Sequence, residues 1–86
     1  MAIGADGNPI ISHRDDTNGD LELYVCDDPT CTSGTNFSIA TLGDAGYYSS
    51  LAIDTSGNAV IGHFDNFPTD LEVAYVVLAV TGIGFQ

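Results

Sequence analysis

Basic residues are all but missing from this chain: it has one, Arg14, against twelve Asp and Glu, for a formal charge of −11. Binding either nucleic acid or anionic lipid depends on clustered Lys and Arg, so neither is an expected partner of the free chain. The acidity is expected to serve solubility, or life in salty surroundings where self-repulsion is screened, ahead of attracting cations such as calcium. Long apolar runs are missing too. The longest, "VAYVVLAV" at 73–80, is strand-sized and far short of the ~20 residues a membrane helix needs. No stretch shows the 3.6-residue apolar spacing of a capped helix. Gly-rich phosphate loops, Ser-His-Asp arrangements and nucleophile elbows are absent. The first residues lack a basic region followed by an apolar one, so no signal peptide is expected. The chain reads as starting inside a repeat unit, which fits a cytoplasmic product or a piece of a longer secreted protein.

What is present is a repetition. Residues 2–25 lie over 52–75 without a gap, with ten identities: Ala2/Ala52, Ile3/Ile53, Gly7/Gly57, Asn8/Asn58, Ile11/Ile61, His13/His63, Asp15/Asp65, Asp20/Asp70, Leu21/Leu71 and Glu22/Glu72. A period of fifty residues falls in or near the range of propeller blades and other repeat arrays. The 86 residues are read as one domain of two repeats, about 1–45 and 46–86. Charged residues make up 15% and apolar ones 44%, which argues against disorder. A domain this small usually needs a disulfide, a metal or partner subunits to stabilise it.

The grammar inside each unit is β. "SSLAID", "AVIGHFD" and "DLEVAYV" alternate with the turns "TSGN" and "NFPT", and the first unit repeats the scheme as "AIGA", "PIISHRD" and "DLELYVC". Gly7 and Gly57, each followed by Asn, supply the positive φ of tight hairpin turns. "NFSIATLG" at 36–43 reads as a fourth strand, and "VLAVTGIGFQ" leaves room for its counterpart or for a strand completing a neighbouring chain's sheet. The expected fold is all-β, with two four-stranded antiparallel units resembling propeller blades.

The segments "GADGNPIISHRDDTNGDLELYVCDDPTC" and "DTSGNAVIGHFDNFPTDLEVAYV" resemble the repeats of large bacterial β-propeller-like proteins. That resemblance covers most of residues 2–76 and implies blades without a catalytic motif. The "D-x-S-G-N" turn at 54–58 is similar to the Asp-box turn of sialidase-type propellers, but lacks the aromatic that closes the box. Two blades leave two apolar faces uncovered, and a ring closes with about four to eight blades. Closure is therefore expected through a homo-dimer, trimer or tetramer. This plan resembles that of small two-blade oligomeric lectins, whose tryptophan-rich sugar pockets this tryptophan-free chain lacks. A β-sandwich within a single chain is the alternative.

Several side chains are candidates for chemistry. His13-x-Asp15 recurs as His63-x-Asp65, and strand alternation puts each pair on one face. Either this is a duplicated ligand- or metal-contacting pair, or the Asp opens the next turn through an Asx hydrogen bond while the His packs between blades. The second reading is preferred, because repeats share structural residues by descent. Cys26 and Cys31 bracket "DDPT" and are disulfide candidates; a bridge would imply oxidising, extracellular surroundings, and two cysteines are too few for a zinc site. Asp16, Asn18 and Asp20 alternate oxygens along a turn and are weak calcium candidates; the glycine is misplaced for an EF-hand. Tyr24, Tyr47, Tyr48, Tyr75, Phe64 and Phe67 could stack on a sugar, with Phe67 the one in a turn.

No cofactor is expected. The expected function is a non-catalytic binding or scaffolding module that forms a symmetric homo-oligomer and takes carbohydrate or a small polar ligand. The alternatives are a glycoside-hydrolase-like enzyme, recognisable by two acids about 5–10 Å apart in a deep pocket, or a truncated repeat fragment with no independent function.

Overall fold

Two turns of the same construction set the register of the two halves of the chain. In the first, Gly4 N donates to Asn8 O (2.8 Å) and Gly7 N to Gly4 O (2.9 Å); in the second, Asp54 N donates to Asn58 O (2.9 Å) and Gly57 N to Asp54 O (3.0 Å). Gly7 and Gly57 have φ of 85° and 84°, values that a side chain would disfavour. The computed structural model describes residues 1–41, 43–66 and 69–78.

From the turns grow two antiparallel sheets, each a simple meander. Sheet A has the order β1 (Ala2–Ile3), β2 (Pro9–Asp15), β3 (Asp20–Cys26), β4 (Gly34–Ala40); sheet B has β5 (Tyr47–Ile53), β6 (Ala59–Asn66), β7 (Thr69–Val76). No helix occurs among the described residues. The β-branched and aromatic residues of these segments suit a pleated, half-buried surface. The first unit has the four strands expected of it. The second has three among the described residues, and the fourth strand considered in "VLAVTGIGFQ" falls largely on 79–86, outside them.

The sheets pack face to face around Ile10, Leu21 and Leu23 from sheet A, Ala59 and Ile61 from sheet B, and Ala45 from the connection, all buried. Val25, Leu51, Ile53, Ala74 and Val76 flank this core. Each fully buried aliphatic side chain contributes about 1.5–3 kcal/mol. A hydrogen bond of 2.9 Å between the hydroxyls of Ser12 and Ser49 ties the layers together.

The two faces that meet are not equivalent faces of the repeat. Sheet A presents Ile10, Ser12, Leu21, Leu23 and Val25 inward, as the registers Ile10↔Val25 and Ser12↔Leu23 require. Fifty residues on, Val60, Gly62, Leu71, Val73 and Tyr75 point away from sheet A, and Leu71 is 82% and Val73 70% exposed. Sheet B instead turns Ile61, His63, Glu72 and Ala74 inward, and their counterparts Ile11, His13, Glu22 and Tyr24 form the outer face of sheet A. The units therefore stack in the same sense, front on back, rather than as mirror partners.

Candidate functional site

The paired histidines share one cross-strand geometry and occupy opposite environments. His13 faces Glu22 in register and His63 faces Glu72, and each Nε2 lies 3.8 Å from its glutamate Oε1. His63 is buried between the sheets. Its Nδ1 accepts a hydrogen bond from Gly46 N at 3.3 Å, so its ring proton sits on Nε2, toward Glu72. His13 lies on the outer face, where its Nε2 donates to Asn36 Oδ1 at 2.7 Å. Asn36 Nδ2 in turn donates to Glu22 Oε1 at 2.8 Å. The preferred reading, a packed histidine and an aspartate that opens the next turn, describes the burial of His63 and the turn at Asp15, while His13 stands on the outer face.

Asp15 takes the turn role preferred from the sequence, and Asp65 a different one. Asp15 closes its own turn, accepting from Thr17 N (3.0 Å) and from Asn18 Nδ2 (2.8 Å). The Asn18 hydrogen bond holds its carboxyl below the usual carboxylate range. Asp65 is buried and accepts from Asp44 N of the inter-sheet connection at 3.2 Å. The connection is thus fastened to sheet B at both ends of a short span, by Asp65 and by His63. Gly46 is indispensable there: its φ is +90°, and a Cβ would stand 3.0 Å from Leu21 Cα.

Of the calcium candidates, Asp20 falls into an acidic group with Asp15 and Glu22, one ligand atom of each lying within 4.8 Å of the others. Asp16 and Asn18 do not join it. Antiparallel pairing sets Asp15 opposite Asp20, whereas Asp16 reaches back to Arg14 and Asn18 to Asp15. A calcium ion takes about six to eight oxygens, and one carboxylate of this trio is already engaged by its own turn. Cys26 and Cys31 are joined by a disulfide, with Cα atoms 4.9 Å apart. Inside that loop Asp28 accepts from the hydroxyl and amide of Thr32 and from Thr30, which brings its pKa down to about 2.

The chain's one base organises the end of the molecule where the sheets are connected. The Arg14 guanidinium stacks over the Tyr47 ring, 4.0 Å from its centroid, while Nε donates to Ala45 O at 3.1 Å. Its terminal nitrogens pair with Asp16 and Asp44. Tyr47 donates its hydroxyl to Asp44 at 3.0 Å. Hydrogen bonding to Arg14 depresses the Asp44 carboxyl; hydrogen bonding to Asp44 raises the Tyr47 phenol and the Arg14 guanidinium.

Beside this cluster a shallow recess of about 240 Å³ is lined by Tyr47, Tyr48, Phe64 and Asn66. Tyr48 is 88% exposed and holds a left-handed φ of 53°, a strained conformation for an aromatic residue. It sits at the bulge where the β5–β6 register shifts. At the opposite end of the strands, a larger cavity of about 340 Å³ opens between the turns, with Ile10, Val25, Phe37 and Leu78 as its apolar walls and Asp6 and Asp27 at its edge. Phe67 lies outside the described residues. Sequence reasoning passed over Arg14, whose scarcity was the available signal: a sole cation among twelve acids is the natural hub for them.

The turn at 54–58 is held by a tyrosine from another strand. The Tyr75 hydroxyl, from β7, donates to Asp54 Oδ2 and accepts from Asn58 Nδ2, both at 2.8 Å. Backbone hydrogen bonds from Asn58 and then the Tyr75 hydroxyl hold the Asp54 carboxyl below its ordinary range. No protein-family model matches the chain, and neither a curated protein nor a solved structure matches it significantly.

Proposed function

We propose that the chain is a non-catalytic, self-associating module, a propeller-like building block that works as a symmetric homo-oligomer and binds a neutral polar ligand such as a carbohydrate. One observation carries the assembly: the outer face of sheet B, where Leu71, Val73 and Tyr75 are 82%, 70% and 56% exposed, has no charged residue among its described strand positions, Asp54 lying at its edge, in a chain of net −11. Contiguous apolar faces of this kind mark interaction surfaces. The mass in solution, by light scattering coupled to size exclusion, tests it: two, three or four chains are expected, and a monomer of 9.0 kDa at every accessible concentration rejects it.

The recess at Tyr47, Tyr48, Phe64 and Asn66 supports the ligand class. Aromatic faces beside a planar amide suit the mixed apolar and hydroxylated surface of a sugar. Arg14 is committed to Ala45, Asp16 and Asp44, and the surrounding charge is negative, so phosphorylated and carboxylated ligands are disfavoured. The chain has no tryptophan, which makes tyrosine fluorescence a direct probe. Titration with neutral oligosaccharides is expected to perturb it, and Tyr48→Ala to abolish the change; no response from any neutral glycan removes the carbohydrate part of the reading.

A further inference from the structure

We infer that a second copy of this chain docks front on back, seating the outer face of its sheet A (Ile11, His13, Glu22, Tyr24) on the outer face of sheet B (Val60, Leu71, Val73, Tyr75). This rests on the self-association reading and specifies its interface. The internal packing is the template. In one chain, the Ile10–Leu21–Leu23 face of the first unit is covered by the Ile61–His63–Glu72 face of the second. The two outer faces are the repeat counterparts of those two surfaces, Leu71 and Val73 of Leu21 and Leu23, and Ile11, His13 and Glu22 of Ile61, His63 and Glu72. Laying one on the other continues the stack already present inside the chain.

Particular positions agree. Leu21 and Leu23 are fully buried while Leu71 and Val73 stand open, the difference expected when one unit has its neighbour and the other lacks it. A Cβ added at Gly62 would meet nothing within 4 Å, whereas its counterpart Ser12 is hydrogen-bonded to the facing sheet. The sheet B surface, with its one carboxylate, Asp54, at the edge and bonded to Tyr75, also offers little repulsion to the acidic one approaching it. A front-on-back contact is heterologous: it consumes one face from each partner, so it extends until a ring closes. An isologous dimer would instead bury two sheet B faces against each other and leave the His13 face exposed.

Paired charge variants separate these arrangements. Ser38→Arg places a charge on the outer face of sheet A, where Ser38 is exposed and Glu22 is near enough to accept the new side chain; Leu71→Arg does the same on sheet B. Circular dichroism and the unfolding midpoint, measured in dilute solution, establish that each variant folds, with Asn36→Arg as the substitute on sheet A. Each variant alone is expected to run as a monomer, and an equimolar mixture as a two-chain species, since each supplies the face the other has lost. Dissociation by Leu71→Arg with Ser38→Arg unaffected would overturn the front-on-back contact in favour of a twofold one and leave self-association intact. Wild-type-like assembly of both variants would also overturn it. A monomeric wild-type chain would end both proposals together.

Discussion

The two halves of this molecule share ten of twenty-four aligned residues, yet equal residues have unequal fates. Leu21 is buried and Leu71 is 82% exposed; Ile11 is half-buried on an outer surface and Ile61 is fully inside. The lesson is that a repeat specifies a strand with two usable faces, and position in the stack decides which face is covered. The same holds for polar residues. Both histidines keep their cross-strand glutamate, but only His63 receives a backbone N–H from the connection.

The sharpest way to break the comparison is to truncate equivalent positions. Leu23→Ala is expected to cost about 2–5 kcal/mol, because it opens a cavity in a closed core. Val73→Ala should change the stability of the isolated chain by no more than about 0.5 kcal/mol. Denaturant unfolding at concentrations below any association measures both; equal costs would mean that the outer face of sheet B is already covered within one chain. The next effect concerns a staple that only the first unit carries. Replacing Cys26 and Cys31 together by serine is expected to cost about 2 kcal/mol through the short loop they close, again read by unfolding.

A smaller contrast is offered by two glycines. Gly46→Ala meets both a left-handed φ and Leu21 Cα at 3.0 Å, so a loss of at least about 1 kcal/mol is expected. Gly62→Ala, with open space above it, should leave the isolated chain unchanged within about 0.5 kcal/mol. The smallest effect is acid sensitivity of the disulfide loop. The Asp28 carboxyl is depressed in the folded chain, so its contribution is complete above the ordinary carboxylate range and is lost as pH falls through its folded value of about 2. Stability is thus expected to decline between about pH 4 and pH 2. Asp28→Asn should flatten that part of the profile, and an unchanged profile would show that the Thr30 and Thr32 hydrogen bonds contribute nothing.

Much of the architecture was legible in residues. The strands of the first unit read as "PIISHRD" and "DLELYVC" coincide with β2 and β3, since alternation and the bracketing turns fix both ends. Gly-Asn after each short first strand marked both tight turns. The cysteines flanking Asp-Asp-Pro-Thr were legible as a pair because a turn spanning a sequence separation of 5 returns the chain on itself. The site was far less legible. Arg14 stacks on a tyrosine thirty-three residues away and Tyr75 reaches Asp54 from another strand, and contacts at such separations leave no local pattern. The turn role of Asp15 followed from the Asx chemistry of the residues next to it, but the Asn36 and Glu22 partners of His13 lie on β4 and β3 and left no local signal.

By itself the sequence determined what local physics enforces: strands of period two, turns that need glycine, a surface with one cation, and two units similar enough to stack. Only the tertiary structure decided which face of each unit went inside. Alternation makes both faces of every strand partly apolar, so the choice between Leu21 and Leu71, or between Ile11 and Ile61, is not written at either position. It is made by the connection at Asp44–Gly46, which fastens to Asp65 and His63 and so lays the second sheet's back against the first sheet's front.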